Sequence, residues 1–113
     1  MKIVFIGDIV GKESRQKFTE SIPDIKNVYE PDVLIVNAEN AAAGFGLTKK
    51  IANQLLDAGV DVITLGNHAW DQKEMIAYIE ECPKIIRALN YPIGVPGKGY
   101  YELILPNGKK IVI

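Results

Sequence analysis

The sequence predicts an α/β fold, with parallel strands joined by crossover helices and a C-terminal β-hairpin after them. Three observations lead there. Short apolar runs alternate with segments whose apolar residues recur at helical spacing, the mark of a parallel sheet with helices on its faces. Each run ends in polar residues, as strand ends do where α/β proteins bind ligands. After Pro83 the alternation stops, and two apolar segments flank Pro106-Asn107-Gly108, whose Asn-Gly pair is a strong hairpin signal.

The elements follow in order. Ile3 to Ile6 is a continuous apolar run, which predicts a strand covered on both faces. A helical pattern starts near Ser14, with Phe18, Ile22, Ile25 and Val28 on one face, and Pro23 is expected to break or kink it. Pro31 closes that segment, and Asp32 to Val36 is a second buried strand ending in Asn37-Ala38-Glu39-Asn40. The small residues from Ala41 to Gly46 form a loop. Thr48 is a suitable N-cap for a helix burying Ile51, Leu55 and Ala58, and Gly59 suits the left-handed residue that ends it. Val60 to Leu65 is the third strand, followed by Gly66-Asn67-His68-Ala69-Trp70-Asp71. Asp71 and Glu74 have capping-box spacing for a helix from Lys73 to Glu81 that buries Met75, Ile76 and Ile79. Ile85-Ile86 is a short strand candidate, Asn90 to Gly99 an irregular loop, and Tyr101 to Leu105 and Lys109 to Ile113 the strands of the hairpin. The chain stops inside an apolar strand, Ile111-Val112-Ile113, which leads us to expect the first part of a longer protein, with an uncovered face or edge that favours self-association.

Composition bounds the function. The 113 residues form one domain, and 48% hydrophobic with 24% charged residues is ordinary for a globular protein. A net charge of −1 argues against general nucleic-acid binding or attraction to an anionic membrane. No segment approaches the roughly 20 apolar residues of a membrane span. Cys82 is the only cysteine, so no intrachain disulfide forms, as suits a reducing cytoplasm.

Parallel strands carry their carboxyl ends to one edge of the sheet, so Asp8, Glu39, Asn40, Asn67 and His68 are expected to converge. Oxygen donors from Asp8, Glu39, Asn40 and Asn67 suit a hard or borderline divalent metal, and Glu39 is able to bridge two ions. Two such ions, about 3.5–4 Å apart, clamp a phosphate, and His68, the only histidine, is placed to protonate a leaving alkoxide. Blander roles stay open. Asp8 serves equally as a turn carboxylate, Glu39-Asn40 as a cap with Asn37 competing, and Asp71 as the cap of the last helix. Trp70 reads as packing more than substrate stacking, and Lys49-Lys50 and Lys109-Lys110 as solvated faces. The glycines from Gly7 to Gly11 make no complete phosphate loop, which disfavours a metal-free nucleotide-binding domain.

Phe5-Ile6-Gly7-Asp8-Ile9-Val10-Gly11, Asn37-Ala38-Glu39-Asn40-Ala41-Ala42 with Gly44, Gly46-Leu47-Thr48, the hexapeptide Gly66 to Asp71, and Pro96-Gly97-Lys98-Gly99 stand in an order that resembles the N-terminal part of the YmdB-type metallophosphoesterases, of the calcineurin-like superfamily. The resemblance covers essentially the whole chain. It implies the N-terminal half of a four-layer α/β/β/α sandwich, a centre of two metal ions (iron or manganese), and phosphodiesterase activity on 2′,3′-cyclic nucleotides. It carries Asp8, Glu39, Asn40 and Asn67 onto metal ligands, Glu39 onto the bridge and His68 onto the proton donor. Val10 stands where the wider superfamily has a histidine, as is usual for this branch. The family completes its metals with further histidines in a C-terminal half, partly as His-x-His, and no histidine follows His68 here. The expectation is therefore a half-site, weak or inactive alone, that takes a small phosphodiester or nucleotide once a C-terminal half or a second copy completes it. The alternative is a non-catalytic binding or regulatory module on the same fold.

Overall fold

The computed structural model describes all 113 residues. The strands are β1 (Ile3–Ile6), β2 (Val33–Asn37), β3 (Val62–Thr64), β4 (Ile85–Ile86), β5 (Glu102–Ile104) and β6 (Lys110–Val112), and the helices α1 (Gly11–Tyr29), α2 (Lys49–Asp57) and α3 (Lys73–Glu81). The first four strands form one sheet in the order β1-β2-β3-β4, every pairing parallel, with Phe5 opposite Ile35, Ile35 opposite Val62 and Ile63 opposite Ile85. An order that never reverses sends crossovers of one hand to one side of the sheet. Accordingly Phe18 and Ile22 of α1, Ile51 and Leu55 of α2, and Met75 and Ile79 of α3 share a single core with Leu34, Val36, Ile63 and Ile85.

The opposite sheet face, with Val33, Ile35, Val62 and Ile86, packs against Leu105 and the partly buried Tyr101, Leu103, Ile111 and Ile113. These come from β5, β6 and their flanks, which pair antiparallel with Leu103 opposite Ile111. Between the two strands the Leu105 carbonyl accepts from the Gly108 N–H at 2.8 Å, and Gly108 has φ 81°, a left-handed value that glycine adopts without strain. Helices, sheet and strand pair therefore make three layers. The pair covers β2 to β4 but leaves β1 bare on this face, where Ile3 is 48% and Phe5 56% exposed. The expected double cover of β1 is thus corrected: the run is apolar on both faces, but only the helix side is occupied.

Other details depart from the sequence reading. Helix α1 begins at Gly11 and runs unbroken through Pro23 to Tyr29. Phe18 and Ile22 precede the proline and Ile25 follows it, all on the core side. Burying such side chains contributes roughly 1.5–3 kcal/mol each, which offsets the ~3 kcal/mol cost of an interior proline. Val28 and Ile76 lie outside the core, 67% and 45% exposed. Asp71 does not cap α3, whose first residue follows Gln72 without a side-chain cap, and the Glu74 carboxylate accepts from the Lys49 N–H instead. The α2 ends match their residues. The Thr48 hydroxyl accepts from Ile51 N–H at 3.2 Å, and Gly59, at φ 111°, and Val60 donate to Leu56 and Leu55 in a Schellman closure.

At the α2–α3 joint the Tyr78 hydroxyl donates to Asn53 and the Lys49 ammonium lies 4.7 Å from the Tyr78 ring centre. Burial, and then the neighbouring Cys82, push the Tyr78 phenol up from its ordinary 10.0. A pKa raised on folding contributes stability that is complete below the ordinary value and is lost as pH rises through the folded one. Thermal midpoints measured from about pH 8 to about pH 11 should fall at the alkaline end, and Tyr78→Phe should flatten that fall. An unchanged alkaline slope in the variant would assign it to other groups.

Candidate functional site

The carboxyl ends of β1, β2 and β3 lie together because all three strands run parallel. Main-chain bonds then stitch the segments that follow them. Ile9 N–H donates to the Asn37 carbonyl at 3.2 Å, Gly11 N–H to the Asn40 carbonyl at 3.1 Å, and Ala38 N–H to the Thr64 carbonyl at 3.1 Å. The loop after β1 is thereby fixed beside the loop after β2, and the Asn40 side-chain amide donates to Asp8 Oδ2 at 2.8 Å.

Glu39 is the centre of the group. Its Oε2 accepts from the His68 main-chain N–H at 3.0 Å. Its own N–H donates to Asn37 Oδ1 at 3.3 Å, and the Asn37 amide lies 3.5 Å from its Oε1. Both carboxylate oxygens rest in the hollow left by Gly66: a Cβ there would stand 2.6 Å from each. Gly66 is therefore needed less for its turn than for the room it leaves a carboxylate. Asn67 follows on the exposed side of the same turn. His68 Nδ1 lies 2.7 Å from Asp71 Oδ2, a pairing that fixes the ring and leaves Nε2 as its second proton site.

Asp8, Glu39, Asn40, Asn67 and His68 thus lie at one edge, where hydrogen bonds join Asn40 to Asp8 and His68 to Glu39, while Asn67 stands exposed in the turn between Gly66 and His68. Reading the sequence did not single out Asp71 as the partner of His68, Asn37 as the support of Glu39, or Tyr91, whose hydroxyl donates to the Gly66 carbonyl at 3.2 Å. Two of these pairings are local, Asn37 with Glu39 at i,i+2 and His68 with Asp71 at i,i+3, and the second coincided with the spacing of a helix cap. Beside Asn67 an open cavity of about 400 Å³ is lined by Gly66, Asn67, Ala88, Asn90 and Tyr91. A surface groove of about 480 Å³ lies between α1 and α2, lined by Lys12, Arg15, Glu20 and Asp57 among others, and includes none of the site residues.

The donor set decides which cation would fit. No three His, Cys, Asp or Glu side chains gather so as to hold an ion between them. The oxygen donors at this edge are Asp8 and Glu39 with the amide oxygens of Asn40 and Asn67, a set that could hold a hard or borderline cation. The hollow at Gly66 and the amide on Asp8 hold both carboxylates at this edge.

Fold and site together define an α/β domain with carboxylate, amide and imidazole groups assembled where parallel strands end. The chain belongs to the family described as YmdB-like protein, which matches residues 4–113. It is 45% identical over 113 residues to the 2′,3′-cyclic-nucleotide 2′-phosphodiesterase of Bacillus subtilis (strain 168), covering 100% of this chain and 42% of that protein. Among solved structures, a hypothetical protein from Thermus thermophilus superposes with a TM-score of 0.89 at 41% identity, over 99% of this chain and 43% of the other. A novel phosphatase from Mycoplasma pneumoniae gives a TM-score of 0.89 at 34% identity, over 99% and 41%. The chain therefore spans about two fifths of the length of these relatives. No helix is long and apolar enough to cross a membrane.

Proposed function

We propose that this chain supplies one half of the active site of a metal-dependent phosphodiesterase that acts on 2′,3′-cyclic nucleotides, in the cytoplasm. The observation that carries this reading is the seat of Glu39, whose carboxylate is held between the Gly66 hollow and the His68 N–H while Asn40 holds Asp8 beside it. Asp8, Glu39, Asn40 and Asn67 would hold two ions, iron or manganese, with Glu39 shared between them. When bound, such ions supply positive charge opposite the phosphate oxygens and make water acidic enough to serve as nucleophile near neutral pH. His68, its Nδ1 tied to Asp71, holds a proton at Nε2 for the departing oxygen. Asn37 keeps Glu39 oriented throughout. The 2′,3′-cyclic nucleotide is taken from the Bacillus subtilis relative's name, and the cavity beside Asn67 offers it room.

The remaining ligands would come from outside these residues, from a C-terminal half or a second copy, with β5 and β6 forming part of the second sheet of a four-layer α/β/β/α sandwich. The alternative is a non-catalytic binding or regulatory module on the same fold. Titration with Mn(II), followed by paramagnetic broadening of amide resonances, separates the readings. Broadening should centre on Asp8, Glu39, Asn40 and Asn67, and Glu39→Gln should weaken binding by about tenfold or more, since even losing a ligand's outer partner costs about 10–100-fold in metal affinity. Broadening spread over surface carboxylates, unaffected by Glu39→Gln, would overturn the metal site.

A further inference from the structure

The segment from Arg87 to Gly99 has no regular structure, yet it is held firmly and one of its side chains reaches the site. Arg87 spends its guanidinium on the segment's own main chain, donating to the carbonyls of Pro96 at 3.0 Å, Ala88 at 3.0 Å and Val95 at 3.4 Å. Its N–H donates to the Lys98 carbonyl at 2.9 Å, which ties the far end of the segment back to β4. Gly99 sits so close to Leu89 that a Cβ would stand 2.6 Å from the Leu89 Cα. The segment is thus a closed loop. On its inner side the Tyr91 ring stands edge-on to Trp70, with centres 6.0 Å apart at 68°, and the Arg87 guanidinium lies 5.9 Å from its centre. A ring with neighbours on two sides has little freedom, so its hydroxyl is a fixed donor, and that donor meets the Gly66 carbonyl at 3.2 Å.

We propose that Tyr91 is a positioning residue that locks the Gly66-Asn67-His68 turn and seats the Arg87–Gly99 loop as the wall of the cavity beside Asn67. The turn is then clamped twice. Glu39 takes the His68 N–H from within, and Tyr91 takes the Gly66 carbonyl from the loop. Asn67 stands between the two clamped residues in the chain, so its main chain is held on both sides. Removing the hydroxyl leaves the Gly66 carbonyl with only the longer 3.3 Å bond from Ala69 N–H. The ring, and with it the loop, stays in place.

The consequence for metal binding rests on the reading in the preceding subsection, and the experiment separates the two. Tyr91→Phe is compared with wild type and with Tyr29→Phe, a tyrosine at the end of α1. Without metal, Tyr91→Phe should shift the amide resonances of Gly66 to Ala69 and speed hydrogen exchange at Ala69, while the sheet amides stay close to wild type and the thermal midpoint falls by only a few degrees, the worth of one hydrogen bond. With Mn(II), broadening should fade at Asn67 but persist at Asp8 and Glu39, with affinity reduced by up to about tenfold, the low end of what losing a ligand's outer support costs. Tyr29→Phe should change none of this. Unchanged resonances and exchange at Gly66 to Ala69 in the metal-free variant would overturn the proposal. So would a loss of broadening that is uniform across the site and tracks a lowered midpoint, which marks a merely structural role. If wild type itself shows no broadening at the site, the metal reading fails, and the metal-free measurements still decide the role of Tyr91.

Discussion

Gly66→Ala is expected to weaken the candidate metal site by about tenfold or more while leaving the fold standing. The added Cβ would lie 2.6 Å from both Glu39 oxygens and 2.9 Å from its Cδ, distances that atoms do not share. Something must move, and the carboxylate, at the far end of a flexible side chain, moves more easily than the main chain of the turn after β3 that carries Gly66. Glu39 then leaves its seat, and the His68 N–H loses its acceptor. An unpaired, partly buried N–H costs about 1–3 kcal/mol, which should lower the thermal midpoint by several degrees without unfolding the sheet. Mn(II) affinity should fall by about tenfold or more, because the proposed bridging ligand has been displaced. A double-mutant cycle isolates the cause: in a Glu39→Ala background, Gly66→Ala should have no further effect on affinity. Wild-type affinity in Gly66→Ala, or additive losses in the double variant, would show that Glu39 and Gly66 do not act as one unit.

The residues explain how far sequence reading reached. The strands β2 and β3 were legible because Val33 to Val36 and Val62 and Ile63 are buried, and a continuous apolar run is the pattern that two-sided burial demands. Thr48 and Gly59 were legible because a cap and a left-handed closure are local and need only their own helix. The gathering of polar residues at the strand ends followed from the parallel topology, which carries positions far apart in sequence to one edge. What failed depended on partners that local pattern does not name. Ile3 and Phe5 look the same in sequence whether their face is covered or bare, and β5 and β6 stop short of them. Asp71 satisfied the spacing of a helix cap with Glu74, but an imidazole stands at the same reach on the other side and took the carboxylate. Pro23 was read as a break or a kink because the rule for proline is local, and the break does not occur, since Ile22 and Ile25 hold the helix from the core. Tyr91 lies in a loop without periodicity, and its bond to Gly66 spans a separation that no motif spacing encodes.

The second large effect concerns turnover. Loaded with Mn(II) or Fe(II), this chain alone is expected to hydrolyse a 2′,3′-cyclic nucleotide poorly or not at all. Asp8, Glu39, Asn40 and Asn67 are four oxygen donors shared between two proposed ions, so water must fill most coordination positions. Loosely held ions fix neither the phosphate nor the attacking water, and fixed geometry is what such centres contribute. His68 cannot repair the deficit: as a ligand it would no longer serve as proton donor, and the chain has no second histidine. A separately produced C-terminal segment from a full-length relative, added in trans, should bring the missing donors and raise turnover well above the chain alone. In that reconstituted protein His68→Ala should lower the rate by about 10²–10⁴-fold, the usual worth of a positioned general acid. Robust hydrolysis by the chain alone, abolished by His68→Ala, would show that four oxygen donors and water suffice. Reconstitution that binds but never turns over, with His68→Ala indistinguishable, would favour the non-catalytic module instead.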